Sequence, residues 1–490
     1  MEPTHTTQVV VVGAGITGLA CAHRLTALGV DTIVLDSSHH AGGKISTVHH
    51  SGYEFEPGPN TLIANKQPML DLIHEAGLHH EIIEGSPLAK RRYVCLNGTL
   101  EPMPTSLLGA LKSPLLGART ILRALRDAVP TRGQTTPDDE SVADFITRRF
   151  GPRILTNLVA PFLTGIYAGE ADKLEARAIL SKLVEAEEAT GSVIRGMIAQ
   201  RKKARREGRL LPMRTITFRH GLGALPVALT CLLGDRLQTG VSVTRLSRHE
   251  NGCTVETDAG QYIACDRVVV ATSPHAAARL LSDVPGAEAV SAGLAGIKCV
   301  SLAVVGLGYD RAAISHPLDG FGYLRGPGTP GPVLGCLFRS TVFPHSAPER
   351  KALLTAFVGG APFPQAAQES EESLARIAHD ELAARLGIRA NPEQTFVRKW
   401  IDAIPQLNRG YSDLRHTVTT WSAHSKISVV GSAITGLSLN DCAGAGHEEA
   451  QRIHAGLRNA GGLKATLLAG ESAIHNPHLE VQAEAACPQA

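Results

Sequence analysis

The sequence predicts an α/β protein: a Rossmann-like domain that the chain leaves and re-enters, with a mixed-sheet domain and a helical domain inserted between visits. Two segments carry this expectation, Gln8 to Asp36 and, about 400 residues later, Ile427 to Arg452. Each reads as an apolar strand, a glycine turn and a helix. The third observation is the alternation between them of helix-patterned and strand-patterned stretches, which a single doubly wound sheet does not need.

The first segment is QVVVVGAGITGLACAHRLTALGVDTIVLD. Val9 to Val12 form an all-apolar run of the kind found in a parallel strand covered on both faces. Gly13, Gly15 and Gly18 then fill G-x-G-x-x-G: Gly13 for the tight turn, Gly15 for close approach of a pyrophosphate, Gly18 for packing of helix on strand. Ile16 and Thr17 open that helix, whose unpaired N–H groups and dipole suit phosphate. A second strand, Thr32 to Leu35, delivers Asp36 to bond a ribose, with Ser37 beside it.

His40 to Leu62 carries Gly42-Gly43-Lys44 just past the acid and Gly58-Pro59-Asn60-Thr61 further on. This arrangement resembles the flavin-containing amine oxidase superfamily, and the resemblance implies FAD rather than a nicotinamide cofactor, in an amine oxidase-like fold. Lys44 stands where many relatives carry arginine, which keeps the charge and loses the planar fork. Cys265 to His275 is similar to the superfamily's second flavin strand, with Ala271 at its end and Val241 to Val243 before it, Val243 being the adenine-edge candidate. Trp400 joins the cofactor set. The C-terminal segment adds Gly431, Ser432, Gly436, Leu437 and Ser438, and its Gly444 and Gly446 read as opening a helix whose N-terminus points at the flavin.

Six stretches narrow the resemblance to the protoporphyrinogen oxidases and their coproporphyrinogen-oxidising relatives: Gly58–Leu62, Pro161–Leu174, His220–Leu229, His316–Leu324, Leu334–Pro344 and Trp400–Tyr411. Leu407, His345-Ser346 and Ser432 depart from the usual pattern. The resemblance implies oxidation of protoporphyrinogen IX to protoporphyrin IX in heme biosynthesis, with dioxygen as acceptor and hydrogen peroxide as by-product; coproporphyrinogen III is the alternative substrate. It places Arg92 on a substrate propionate, where a guanidinium fork matches a carboxylate, with Arg339 and Arg398 next in line. It lays a loop from Gly165 to Gly169 over the flavin and makes Leu324, Leu337 and Phe338 apolar walls. No catalytic triad or base is assigned; Lys298 is the one lysine in the region where amine oxidases keep one. Peripheral membrane contact, hand-off to a ferrochelatase and a homodimer are the further partners the resemblance brings. An amine oxidase and a non-catalytic porphyrin or flavin carrier stay open as alternatives, although aromatics at 4% supply little for an amine-binding cage.

Composition agrees with a large enzyme: 490 residues, 43% of them hydrophobic, can bury two or three cores. A net charge of +2 argues against nucleic acid as partner. Nine cysteines without a CxxC pair read as reduced thiols in a cytoplasmic protein, and 21 histidines without ligand spacing predict no metal. Neither a signal peptide nor a stretch of the ~20 apolar residues a bilayer needs is expected. Residues 8–88, 211–285 and 421–460 are expected to build the flavin domain, 89–100 and 286–420 the substrate domain, and 101–210 a helical, membrane-associating domain. In the last, Val142, Phe145, Ile146 and Phe150 follow helical spacing. Ser370 is expected to cap a helix from Glu371 to Leu386. The basic run Arg195 to Arg209 reads as a solvated face or as a patch for anionic lipid. The tail, 461–490, lacks periodicity and is expected to be mobile.

Overall fold

The apolar run at the start of the chain becomes the centre of a seven-stranded sheet in the computed structural model, which describes residues 3–129, 137, 139–208 and 212–459. His5–Val12 pairs in parallel with Thr32–Asp36 on one side and with Tyr262–Val270 on the other. Leu237–Thr239 extends the sheet beyond Thr32–Asp36, while Ile427–Val429 joins Tyr262–Val270 in parallel. An antiparallel pair, Cys253–Thr257 and Val243–Arg248, completes it. Val9 to Val11 and Val268 to Val270 are wholly buried, as strands covered on both faces must be.

A second seven-stranded sheet is mixed. Gln394–Pro405, Cys299–Asp310, Lys351–Gly359, Val333–Leu337 and Gly322–Arg325 run antiparallel in that order. Tyr93–Leu96 then adds in parallel, followed by Thr99–Pro102. Helix Glu371–Leu386 covers this sheet with Leu374, Ala378, Leu382 and Leu386, spaced every fourth residue. Ser370 caps it by accepting the Ser373 N–H at 3.2 Å.

Between Leu107 and Arg206 the described chain is helical. Val142–Arg149 buries Val142, Phe145 and Ile146, with Phe150 packed beside them, and Ser141 accepts the Asp144 N–H at 3.1 Å. Its other face holds Arg148, which bonds Glu140 and Glu187 at 2.6 to 2.8 Å. Among the described residues no helix is long and apolar enough to cross a membrane. The tail expected to be mobile, 461–490, lies outside the described residues, as does Arg209 of the basic run.

One expectation about the C-terminal segment changes. The last helix begins at Leu439, not at Gly444, because Ser438 supplies an N-terminal cap by accepting the Asp441 N–H at 3.1 Å. Gly444 and Gly446 therefore sit inside the helix. Gly446 rests on helix Ile16–Ala27, where an added Cβ would overlap the Thr17 carbonyl and reach 2.9 Å from Cys21 N; a Cβ on Gly444 would meet nothing within 4 Å. The two glycines should therefore respond oppositely. Gly446→Ala is expected to cost about 1–3 kcal/mol by forcing the helices apart, whereas Gly444→Ala should gain up to ~1 kcal/mol from better helix propensity. Thermal unfolding of both variants checks this, and equal shifts would contradict the packing role.

Candidate functional site

Register brings the site together before any side chain does. Val12 lies beside Leu35 and Val270, and Val270 beside Val429, so the carboxyl ends of four parallel strands share one edge. Gly13, Asp36, Ala271 and Gly431 follow there. Gly13 has φ +107°, open to glycine, and its N–H bonds Leu35 O at 2.7 Å. A Cβ on Gly13 would come 2.8 Å from Ala271 O, and one on Gly18 would overlap Gly13 O, so both glycines are required by backbone contact. Gly15 differs: a Cβ there meets nothing within 4 Å, the free space a pyrophosphate would take. Gly15 precedes helix Ile16–Ala27, which has no side-chain cap, leaving its first N–H groups for an anion.

Asp36 is committed locally, accepting Ala14 N–H at 2.5 Å and Ser38 N–H at 2.8 Å. This fixes the turn and aims the carboxylate at the cradle. Ser37 is exposed beside it. Gly42 bonds Ala14 O at 2.8 Å, and a Cβ on Gly43 would stand 3.3 Å from Gly15 Cα, so the glycine pair extends the same wall. Pro57 O accepts Trp400 Nε1 at 2.6 Å, and Gly58 packs on the Lys44 carbonyl. Asn60 is buried and donates to Glu56 O and Gly58 O, while its Oδ1 has no donor among the described residues. Pro59 and Thr61 flank it, part-exposed. Val243 begins its strand two residues after Val241, whose N–H bonds Asp36 O at 2.9 Å. Ser432, Gly436, Leu437 and Ser438 line the turn from Gly431 to the last helix.

Lys44 is reached by solvent yet hemmed in by the walls of a concave site. That desolvation lowers its ammonium from the ordinary lysine value, partly offset by the thiols of Cys299 and Cys442. Cys299 starts a strand of the second sheet and Cys442 lies in the first turn of the last helix, so Lys44 stands where the two bodies meet. Tyr167 ends helix Ala160–Tyr167 near the start of the last helix: burial raises its phenol, with Asp441 adding to the shift. Asp441 pairs with Lys66 at 2.5 Å. Tyr167, Cys299, Asp441 and Cys442 were absent from the sequence-based set. Tyr167 falls within the Pro161–Leu174 stretch, but neither motif nor periodicity separates it from its neighbours.

The expected substrate residues divide. Arg92 is exposed, with its guanidinium 5.1 Å from the Phe321 ring centroid, while neighbouring Arg91 is held by Asp319. Leu324 lies on the strand paired to Tyr93–Leu96, which follows Arg92 directly, and packs on Gly165. Gly165 is helical, not part of a loop; only from Ala168, at φ +49°, does the chain leave the helix toward Gly169, which packs on Gln406 and Leu174. Leu337 and Phe338 are 5% and 0% exposed. Phe338 belongs to the core of the second sheet, because its strand end turns inward beside His316, and so it offers no surface to a ligand. Arg339 is removed as an anchor by its complete burial among Glu54, Glu56 and the Asn60 carbonyl. Arg398 stacks on Trp400 at 4.7 Å, and Lys298 is exposed at the start of the second sheet.

Residues 16–454 match the family described as flavin-containing amine oxidoreductases. The chain belongs to that family. Its fold is amine oxidase-like, its cofactor is FAD, and it is an FAD-dependent oxidoreductase. It is 32% identical to protoporphyrinogen oxidase 1, chloroplastic, of Arabidopsis thaliana, over 92% of this chain and 88% of that one. It is 30% identical to coproporphyrinogen III oxidase of Bacillus subtilis, over 89% and 95%. A solved structure from Exiguobacterium sp. 255-15, provisionally named a protoporphyrinogen oxidase, superposes with a TM-score of 0.78 at 24% identity, over 93% of this chain and all of that one. A putrescine oxidase double mutant gives 0.69 at 18%, over 92% and all of that chain.

The open cradle at Gly15, the uncapped helix and the partnerless Asn60 Oδ1 fit a dinucleotide with hydroxyl and N–H donors. Gly15→Val should accordingly fold with nearly unchanged thermal stability after FAD removal but retain no flavin, since its side chain fills ligand space. Gly18→Val should lose stability with or without FAD. Visible absorbance of the purified variants and melting of their apo forms separate the two effects; a yellow Gly15→Val protein would contradict the cradle.

Proposed function

We propose that the protein oxidises a porphyrinogen to its porphyrin in heme biosynthesis, with protoporphyrinogen IX as first reading and coproporphyrinogen III as alternative. The observation that carries this is the character of the cleft rim. Ile63 on strand Leu62–Ala64, Phe162 and Ile166 on helix Ala160–Tyr167, and Ile401 on strand Gln394–Pro405 are 42 to 54% exposed. On this reading they form the mouth of the cleft, where exposed apolar side chains suit a large, greasy ligand. Arg92 adds a cation without a carboxylate partner among the described residues, stacked on Phe321 and so held for a propionate. The relatives named above act, by their names, on such macrocycles.

Bound FAD supplies a two-electron acceptor for hydride from a bridge carbon, and dioxygen takes the electrons on to hydrogen peroxide. The chain's share is orientation and exclusion of water: the apolar rim seats the macrocycle, Arg92 fixes its rotation, and the Gly165–Leu324 contact sets how near the helix comes. Three such oxidations remove six hydrogens in all, matched by three dioxygen molecules. Oxidation of a small amine shares the fold but leaves that rim without purpose.

We further propose a peripheral membrane face on the helical body. Leu122, Leu125, Val129 and Ile198 are 49 to 68% exposed, and Arg119, Arg126, Arg195, Arg201 and Lys202 are exposed near them. Asp127 joins the two stretches by accepting the Ile194 N–H at 2.9 Å. Apolar groups among cations suit an anionic bilayer surface.

Arg92→Ala should raise KM for both porphyrinogens about tenfold with flavin content intact, and Arg92→Lys should recover part of the loss. Parallel turnover of the two substrates decides the preference, and an unchanged Arg92→Ala would remove this anchor. Binding to liposomes should rise with anionic lipid, fall with salt and drop in a Leu122→Asp/Leu125→Asp variant; equal binding to neutral vesicles would reject the membrane face.

A further inference from the structure

Beneath the flavin cradle lies a charge cluster that the chemistry above does not use. Arg339, Glu54 and Glu56 are 0, 3 and 2% exposed. Arg339 donates to Glu54 at 2.6 Å, to Glu56 at 3.3 Å and to the Asn60 carbonyl. Glu56 also accepts the Leu222 N–H at 2.8 Å and the Thr47 hydroxyl at 3.1 Å; Thr47 in turn accepts the Gly223 N–H at 2.9 Å. His345 stands 3.7 Å from Glu54, with Arg219 and His49 acting on it from beyond. One guanidinium thus faces two carboxylates in a dry site, where an uncompensated charge is costly.

Arg339 comes from the second sheet's body, immediately after strand Val333–Leu337. Leu222 and Gly223 lead into helix Ala224–Leu233, and residues 54–60 run straight into the cradle. The cluster therefore joins three elements directly under Pro57, Gly58 and Asn60. We propose that Glu56 is a positioning residue for the flavin cradle, acting through Arg339 and the Pro57–Asn60 backbone, and that cofactor retention weakens when its carboxyl loses its proton. With that proton in place, Glu54 and Arg339 balance each other and neutral Glu56 keeps its bonds to Leu222 and Thr47. Without it, the two carboxylates compete for one guanidinium, and segment 54–60 is the part that carries both. Burial pushes the Glu56 carboxyl from the ordinary 4.5 to about 8, even though Arg339 and the Leu222 N–H act to lower it.

The inference rests on the FAD assignment and not on the substrate. FAD is titrated into the apoprotein, followed by quenching of flavin fluorescence, from pH about 6.5 to about 9.5. Kd is expected to be flat at first and then to rise toward tenfold per pH unit above about 8. Lys44 is the competing group, because its lowered ammonium also faces the cofactor. The titration is therefore repeated in Lys44→Arg, whose charge persists throughout. Survival of the alkaline rise in Lys44→Arg and its loss in Glu56→Gln, which mimics the protonated carboxyl, support the proposal. A rise that vanishes in Lys44→Arg, or one that persists in Glu56→Gln, overturns it. A second readout is independent of the ligand. A raised carboxyl favours the fold at low pH, a contribution lost as pH climbs from about 4.5 to about 8 and constant above. The melting temperature of apo Glu56→Gln minus that of the parent should grow across that window. Should Glu56→Gln prove insoluble, the parent's carboxyl C=O infrared band, present at pH about 7 and gone at about 10, takes its place, and a flat parent Kd overturns the proposal. Absence of FAD binding at every pH would instead refute the flavin site itself.

Discussion

The contact on which the molecule depends is that between its first and last helices, where Gly446 lies against Thr17 and Cys21. Strands His5–Val12, Tyr262–Val270 and Ile427–Val429 come from three distant parts of the chain, and their register alone puts Gly13, Ala271 and Gly431 on one edge. Closing loops of this length costs entropy that grows only slowly with length. What holds the arrangement is the burial of helices Ile16–Ala27 and Leu439–Asn459 with the apolar strands in one core, which includes Val9, Leu19, Ala450 and Ile453. A residue larger than glycine at 446 would separate the faces that make this core continuous.

The second body is hung on the first by polar contacts at the cradle itself. Trp400 bonds Pro57 O, and Arg339 binds Glu54, Glu56 and Asn60 O. Both reach a segment of seven residues that also packs on Lys44 through Gly58. A buried ion cluster is weak evidence for stability, since desolvation offsets much of the attraction. Its value is geometric: each bond has one partner position, so the angle between the bodies, and with it the width of the cleft, is defined where the cofactor sits. Lys66 with Asp441 and Asn440 with Asn65 do the same for the start of the last helix.

Local pattern made the fingerprint legible, because each glycine answers a contact within the same strand-turn-helix unit, and Ser370 announced its helix because capping is settled within four residues. The helix start at Leu439 was misplaced for a related reason: glycines inside a helix resemble a turn unless the partner helix they accommodate is known. Phe338 and Arg339 show the other limit. They lie in a stretch that resembles substrate-contacting sequence, yet strand Val333–Leu337 ends by turning both inward. Direction of a side chain at a strand end depends on pairing with Lys351–Gly359 and Gly322–Arg325, neither of which is local. Tyr167, Cys299 and Cys442 meet around one cleft only through tertiary structure, and no spacing rule joins them.

On the porphyrinogen reading, the chemistry asks little of acid or base groups, and the site agrees in what it withholds. Burial raises the thiols of Cys299 and Cys442 to about 11, so neither is a nucleophile near neutrality. Tyr167 is raised as well, and Lys44 is the one ammonium among the described residues shown to share their space. On the same reading the wall facing the macrocycle is Leu324, Gly165 and the exposed isoleucines. A reduced macrocycle that must present several bridge carbons in turn gains from such a wall, because apolar contact is non-directional and permits rotation between oxidations. On that reading Arg92, exposed and stacked on Phe321, is the proposed directional contact that apolar walls lack. Its exposure leaves it able to take a different propionate after each turn, which a buried and fully paired arginine such as Arg339 could not do.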